Sequence, residues 1–132
     1  MRKLILLGEG DFGPALLASL LATAGIDSPE DTFAIEGNDH ERIRKAIDSI
    51  CNTIYRKDSI VVLCDFVNGS AAQEAWLVAE KRNMISRMMM ISGANVSALG
   101  AALRFRETIE DDKTFASTVV AEAQSSIQAY GV

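Results

Sequence analysis

Four short apolar runs constrain this 132-residue chain more than any other feature: Leu4-Ile5-Leu6-Leu7, Phe33-Ala34-Ile35, Ile60-Val61-Val62-Leu63-Cys64 and Met88-Met89-Met90-Ile91. None alternates polar with apolar residues. A strand with one wet face alternates, whereas a continuous short run suits a strand covered on both faces. The segments between the runs have helical period. The first predicted helix covers 12–24, with Leu16, Leu17, Leu20 and Leu21 on one face, Asp11 as its candidate cap, Pro14 in its first turn and Gly25 as its stop. The second carries Ile43, Ile47, Ile50 and Ile54, with Asn38 and Glu41 spaced as a capping box. Ser70 and Gln73 have the same spacing ahead of Ala72, Ala75, Trp76 and Ala79. A fourth helix follows Gly93 with Val96, Leu99 and Leu103, and a fifth starts near Asp112 with Phe115, Val119, Ala123 and Ile127.

Strands alternating with helices predict an α/β fold: a mainly parallel sheet, right-handed crossovers and a helix layer on each face. No linker or repeat interrupts the pattern, so 1–132 reads as one domain. The composition agrees, being 48% hydrophobic, mostly aliphatic residues and alanine, with one Trp. The net charge of −5 and the scattered cations lack the basic face of a nucleic-acid binder, so no nucleic-acid partner is expected. Cys51 and Cys64 fit no metal or C-x-x-C spacing and read as reduced core thiols. With one histidine, neither a metal nor a cofactor is expected. The Leu4–Leu7 run is too short for a signal-peptide core or a membrane span, so a cytoplasmic location without membrane insertion is expected.

In open parallel sheets, ligands bind beyond the carboxyl ends of the strands. The turns following the four runs are Gly8-Glu9-Gly10-Asp11, Gly37-Asn38, Asp65-Phe66-Val67-Asn68-Gly69-Ser70 and Ser92-Gly93-Ala94-Asn95. Each is rich in glycine and small polar residues, which suits tight turns and also lets backbone N–H groups reach an anion. Gly8-x-Gly10-x-x-Gly13 matches a dinucleotide fingerprint in form, with Glu36 as its acidic partner. Against that reading, Glu9 puts a negative charge where a pyrophosphate would lie, and the chain leaves no room for a substrate domain. Glu9 and Asp65 end strands expected to be neighbours. Two carboxylates in one cleft would repel, raise one pKa and serve acid/base chemistry, or else stand as two solvated turn residues. His40, in the first turn of the second helix, is a candidate nucleophile or simply a surface histidine.

Taken together, these turns resemble the enzyme IIA component of the mannose-type (mannose/fructose/sorbose) sugar phosphotransferase system. That family has S/T-H-G-x-F-A-x-G-L-L-x-S after its first strand, where this chain has Gly8-Glu9-Gly10-Asp11-Phe12-Gly13-Pro14-Ala15-Leu16-Leu17-Ala18-Ser19. The family's D-x-x-G-G-S-P corresponds to Asp65-Phe66-Val67-Asn68-Gly69-Ser70-Ala71, and its G-x-N-L-P/A-M-L to Gly93-Ala94-Asn95-Val96-Ser97-Ala98-Leu99. The Gly37-Asn38 turn and Asp111-Asp112-x-x-Phe115 also fit, and the likeness runs over nearly the whole chain.

The resemblance implies a flavodoxin-like three-layer α/β/α fold with strand order 2-1-3-4, usually in a homodimer. It implies phosphoryl relay from a phosphohistidine carrier protein to an enzyme IIB-like protein. By position, Glu9 stands at the acceptor site, Asp65 is the orienting acid and Ser70 the phosphate-side hydroxyl, with Gly10, Asn68 and Gly69 around the anion. The chain departs from the family at the acceptor itself, Glu9 in place of His, and also at Asn68 for Gly and Ala71 for Pro. The departures imply a looser site and a degenerate or regulatory member in which Glu9 mimics phosphohistidine toward a partner. The alternatives are an active phosphocarrier using Glu9 or His40, and a small-molecule-binding or acid/base enzyme using Glu9 and Asp65.

Overall fold

A computed structural model describes residues 1–132. The strands are β1 (Arg2–Leu7), β2 (Thr32–Ile35), β3 (Ser59–Leu63) and β4 (Met88–Ile91). The α-helices are α1 (Phe12–Ala24), α2 (His40–Cys51), α3 (Ser70–Lys81), α4 (Val96–Phe105) and α5 (Asp112–Ser125), with a single 3-10 turn at Ile85–Arg87. The strands form one parallel sheet in the order β2-β1-β3-β4, as expected.

The sheet explains why the apolar runs do not alternate. Ile5, Leu7, Ile60 and Val62 face α2 and α3, while Leu4, Leu6, Val61 and Leu63 face α1, α4 and α5. Successive strand side chains point to opposite faces, so two helix layers demand an apolar residue at every position. All eight of these residues are at most 1% exposed. The α2 stripe of Ile43, Ile47 and Ile50 packs into the first core as its spacing predicts. Ile54 lies beyond the end of α2, since Asn52 caps the helix, and packs only partly against the core. Ile127 also falls past its helix and is 73% exposed.

Two cations open β1 ahead of its apolar run. Arg2 is only 6% exposed, yet its guanidinium donates to the carbonyls of Arg106, Ile109 and Glu110 and to Asp112, and lies 4.3 Å from the Phe115 ring centroid. That network ties the first strand to the entry of α5 and satisfies a charge that would otherwise be costly to bury. Lys3 pairs with Asp31.

Gly13 brings α1 onto β1. A Cβ at this position would lie 2.2 Å from the Leu6 carbonyl oxygen, so no larger residue allows this approach. This is the packing role of the third glycine in Gly8-x-Gly10-x-x-Gly13. Both cysteines are buried and free, and burial pushes their thiol pKa values up. No helix is long and apolar enough to cross a membrane.

Candidate functional site

The chain leaves β1 toward one edge of the sheet, through α1 to β2, and later crosses to the other side, into β3 and β4. The switch point therefore lies between the carboxyl ends of β1 and β3, where Leu6 pairs with Leu63 in register. The turns carrying Glu9 and Asp65 meet there.

Asp65 holds the backbone of this turn. Its Oδ2 accepts the Glu9 N–H at 2.8 Å, and its Oδ1 accepts the Phe66 N–H at 3.0 Å. The Glu9 side chain reaches the start of α3. There its Oε1 accepts the Ser70 hydroxyl at 2.8 Å and the Ala71 N–H at 3.0 Å. The first N–H groups of a helix lack intrahelical partners and carry the positive end of its dipole, so they favour an anion. In this molecule the anion is the protein's own carboxylate.

The two carboxylates are thus not a proton-sharing pair. Of the two readings of this pair, repulsion would raise a carboxyl pKa; for Glu9 the shift runs the other way. The Ala71 N–H, then the Ser70 hydroxyl, and further off the charge of His40 draw the Glu9 pKa below its ordinary value.

The capping expectations need three corrections. Asn38 does not cap α2; Asp39 does, accepting the Glu41 and Arg42 N–H groups. Ser70 is not the cap of α3 but its first residue, following Gly69, and its hydroxyl is spent on Glu9. Asp11 precedes α1 without a side-chain capping bond.

Gly10, Asn68 and Gly69 make no hydrogen bond to the Glu9 carboxylate; they shape the turns around it. The Gly10 carbonyl accepts the Gly37 N–H at 2.7 Å, locking the turn after β1 to the turn after β2. Asn68 adopts φ +62°, a left-handed conformation that asparagine tolerates better than most residues. Glu36 is exposed.

His40 opens α2, and its Nδ1 lies 3.1 Å from Glu74 Oε1. Arg44 donates to the other Glu74 oxygen at 3.0 Å. Glu74 is 8% exposed. Burial opposes its ionisation, but the hydrogen bonds and charges of Arg44 and His40 outweigh that and hold its pKa low. The sequence singles out His40 but not its partner Glu74. The available signal was a charge at position 74 among Ala71, Ala72 and Ala75, on the buried stripe of α3. Beside the site, Phe66, Val67, Ala72, Trp76 and Met90 line an open groove of about 380 Å³.

No protein-family model and no curated protein sequence matches this chain. Solved structures do. A phosphotransferase system component EIIA from Streptococcus agalactiae is 22% identical with a TM-score of 0.81, covering 98% of each chain. The mannose/sorbose specific IIA subunit of the phosphotransferase system from Enterococcus faecalis is 18% identical with a TM-score of 0.75, covering 99% of this chain and 96% of that one. A IIA protein associated with the fucose utilization operon of Streptococcus pneumoniae is 14% identical with a TM-score of 0.71, covering 97% and 92%. Over essentially its whole length, this chain has the fold of phosphotransferase IIA components.

Proposed function

We propose that this chain is an enzyme IIA-like component of a phosphoenolpyruvate-dependent sugar phosphotransferase system, serving a regulatory docking role rather than phosphoryl relay. The observation that carries this reading is the Glu9 carboxylate, seated on the Ser70 hydroxyl and the Ala71 N–H at the start of α3. A helix start of this kind suits a phosphoryl group, and a fixed carboxylate there presents a permanent negative charge in its place. Ionisation of Glu9 is favoured by the same contacts. A phosphoryl dianion added at Glu9 would share the turn with Asp65, which accepts the Glu9 N–H, and the Arg44 charge is already paired with Glu74.

On this reading the partners are a phosphohistidine carrier protein, an enzyme IIB-like protein or a regulatory target, met in the cytoplasm. The chain forms a single domain and a homodimer, for which exposed apolar residues such as Leu77, Val120 and Ile127 supply surface.

One observation favours a second reading. The Glu74 carboxylate on His40 Nδ1 leaves Nε2 as the free nitrogen, the way a nucleophilic imidazole is oriented. His40 would then be the acceptor.

Calorimetric titration with the histidine-bearing carrier and with a IIB protein tests the docking role. Binding by the wild-type chain that weakens tenfold or more in Glu9→Gln, about 1.4 kcal/mol, supports a charge-reading partner. Equal affinity of the two proteins would contradict it.

A further inference from the structure

The amino edge of the sheet, opposite the edge that carries Glu9, holds an open cavity of about 600 Å³. It lies where the strands begin. Arg2 of β1 and Ser59 of β3, which pair in register, line it together with Arg87 just ahead of β4 and Arg106 at the end of α4. Apart from Met1 and Ile109, the lining is polar or charged. Five of the chain's 13 lysines and arginines are in it, Arg2, Arg56, Lys57, Arg87 and Arg106, against four carboxylates. The chain as a whole carries −5, so the cavity reverses the sign of its surroundings.

The cations and carboxylates do not simply cancel in pairs. Arg2 is spent on Asp112 and on backbone carbonyls, and Asp58 is taken by the Met1 amine and the Tyr55 N–H. Glu107 and Glu110 are exposed, where water and salt screen them. Arg87 and Arg106 are half-buried and fixed without a counter-charge. Arg87 donates to the carbonyls of Asp58 and Tyr55, and Arg106 to those of Glu30 and Asp31. Carbonyls orient a guanidinium but leave its positive charge whole. Each also keeps a nitrogen without a partner in the chain, Nη1 of Arg87 and Nε of Arg106. Arg56 and Lys57 form no ion pair, and the Ser59 and Ser86 hydroxyls in the same lining make no hydrogen bond. Fixed guanidiniums with spare N–H groups, free cations beside them and free hydroxyls match an oxyanion of more than one charge. The volume falls in the range of small-molecule sites, about 300–1,000 Å³.

We propose that this cavity binds a small phosphorylated molecule, with Arg87 and Arg106 as fixed anchors and Arg56 and Lys57 adding charge from the turn between α2 and β3. The site lies at the opposite edge of the sheet from Glu9 and stands independently of the function proposed above.

The test is an amide NMR titration of the full chain at neutral pH with inorganic pyrophosphate and with ADP. Adenosine, and sodium chloride at matched ionic strength, are the controls. The expected result is saturable shifts at Lys57–Ser59, Ser86, Arg87 and Arg106 with a Kd of about 1 mM or tighter, and none with the controls. Tighter binding of ADP would mean a phosphate carried on an organic body, and tighter binding of pyrophosphate a free polyphosphate; either order upholds the site. Arg56→Gln combined with Lys57→Gln should weaken binding about tenfold, and these side chains hold no bond of the fold. Ser86→Asp should abolish it by adding a carboxylate to the lining. Arg42→Gln with Lys45→Gln, which removes two exposed cations of α2, should leave it unchanged. A drift that never saturates and matches sodium chloride would overturn the proposal. So would equal affinity in the Arg56/Lys57 variant, or shifts centred on Glu9, Ser70 and Ala71, which would put the anion at the other edge of the sheet.

Discussion

Replacing Gly37 by alanine tests how the site is built. A Cβ at position 37 would lie 1.8 Å from the Gly8 carbonyl oxygen and 2.9 Å from its carbon. Ordinary contact begins at about 3.4 Å, so a backbone atom, not a flexible side chain, would have to move by about 1.5 Å. That movement pulls on both bonds holding the turn, Gly37 N–H to Gly10 O and Glu9 N–H to Asp65 Oδ2. The expected cost is about 3 kcal/mol, at the upper end of overpacking. Gly100→Ala is the control with the same chemical change. Its Cβ would meet nothing closer than Leu20 Cδ1 at 3.9 Å, within helix α4, where alanine is favoured by about 1 kcal/mol. Urea unfolding followed by the single Trp76 measures both. Opposite signs are predicted; a Gly37→Ala loss below about 1 kcal/mol, or a destabilising Gly100→Ala, would refute the geometry.

Further outcomes follow from other parts of the molecule. Phe115→Ala should cost about 3–5 kcal/mol in the same assay, since Phe115 is fully buried and lies beneath the Arg2 guanidinium. Asn68→Gly should be neutral or stabilising by up to about 1 kcal/mol, because glycine enters the φ +62° conformation without strain. Glu9 and Glu74 both have lowered folded-state pKa values, so each contributes stability that is present above the ordinary value of 4.5 and is lost as pH falls through the folded value. The unfolding free energy should therefore drop between pH 5 and pH 3, and Glu9→Gln should shrink that drop in acid urea titrations.

The strands and helices were legible because their cause is local. Two-sided burial forces runs such as Ile60–Cys64, and one-sided burial forces the Ile43, Ile47, Ile50 stripe. The strand order was not legible in this way; it came from the resemblance of the turns to a family, since nothing in a parallel strand's own residues names its neighbour. The caps were legible only to within a residue. Asn38 and Asp39 offer the same chemistry, and only backbone geometry selects Asp39. Ser70 looked like a cap because its spacing to Gln73 is right. Its hydroxyl is claimed instead by Glu9, 61 positions away in sequence, which no local pattern records. Sequence left the Glu9–Asp65 pair open between repulsion and separate solvation for the same reason: Asp65 takes the backbone N–H of Glu9, and the Glu9 carboxylate finds donors on α3. His40 was legible as a lone histidine, but its meaning depends on Glu74, whose role appears only when α2 and α3 pack together.

The central claim is that the docking architecture is kept while Glu9 occupies the place of the phosphoryl group. Incubation with phosphoenolpyruvate, enzyme I and the histidine-bearing carrier, read by intact-mass spectrometry at neutral pH, tests it most directly. The account predicts no added phosphoryl group on the wild-type chain and one on Glu9→His. A phosphoryl group on the wild-type chain, lost in either Glu9→Ala or His40→Ala, would contradict it and name the true acceptor.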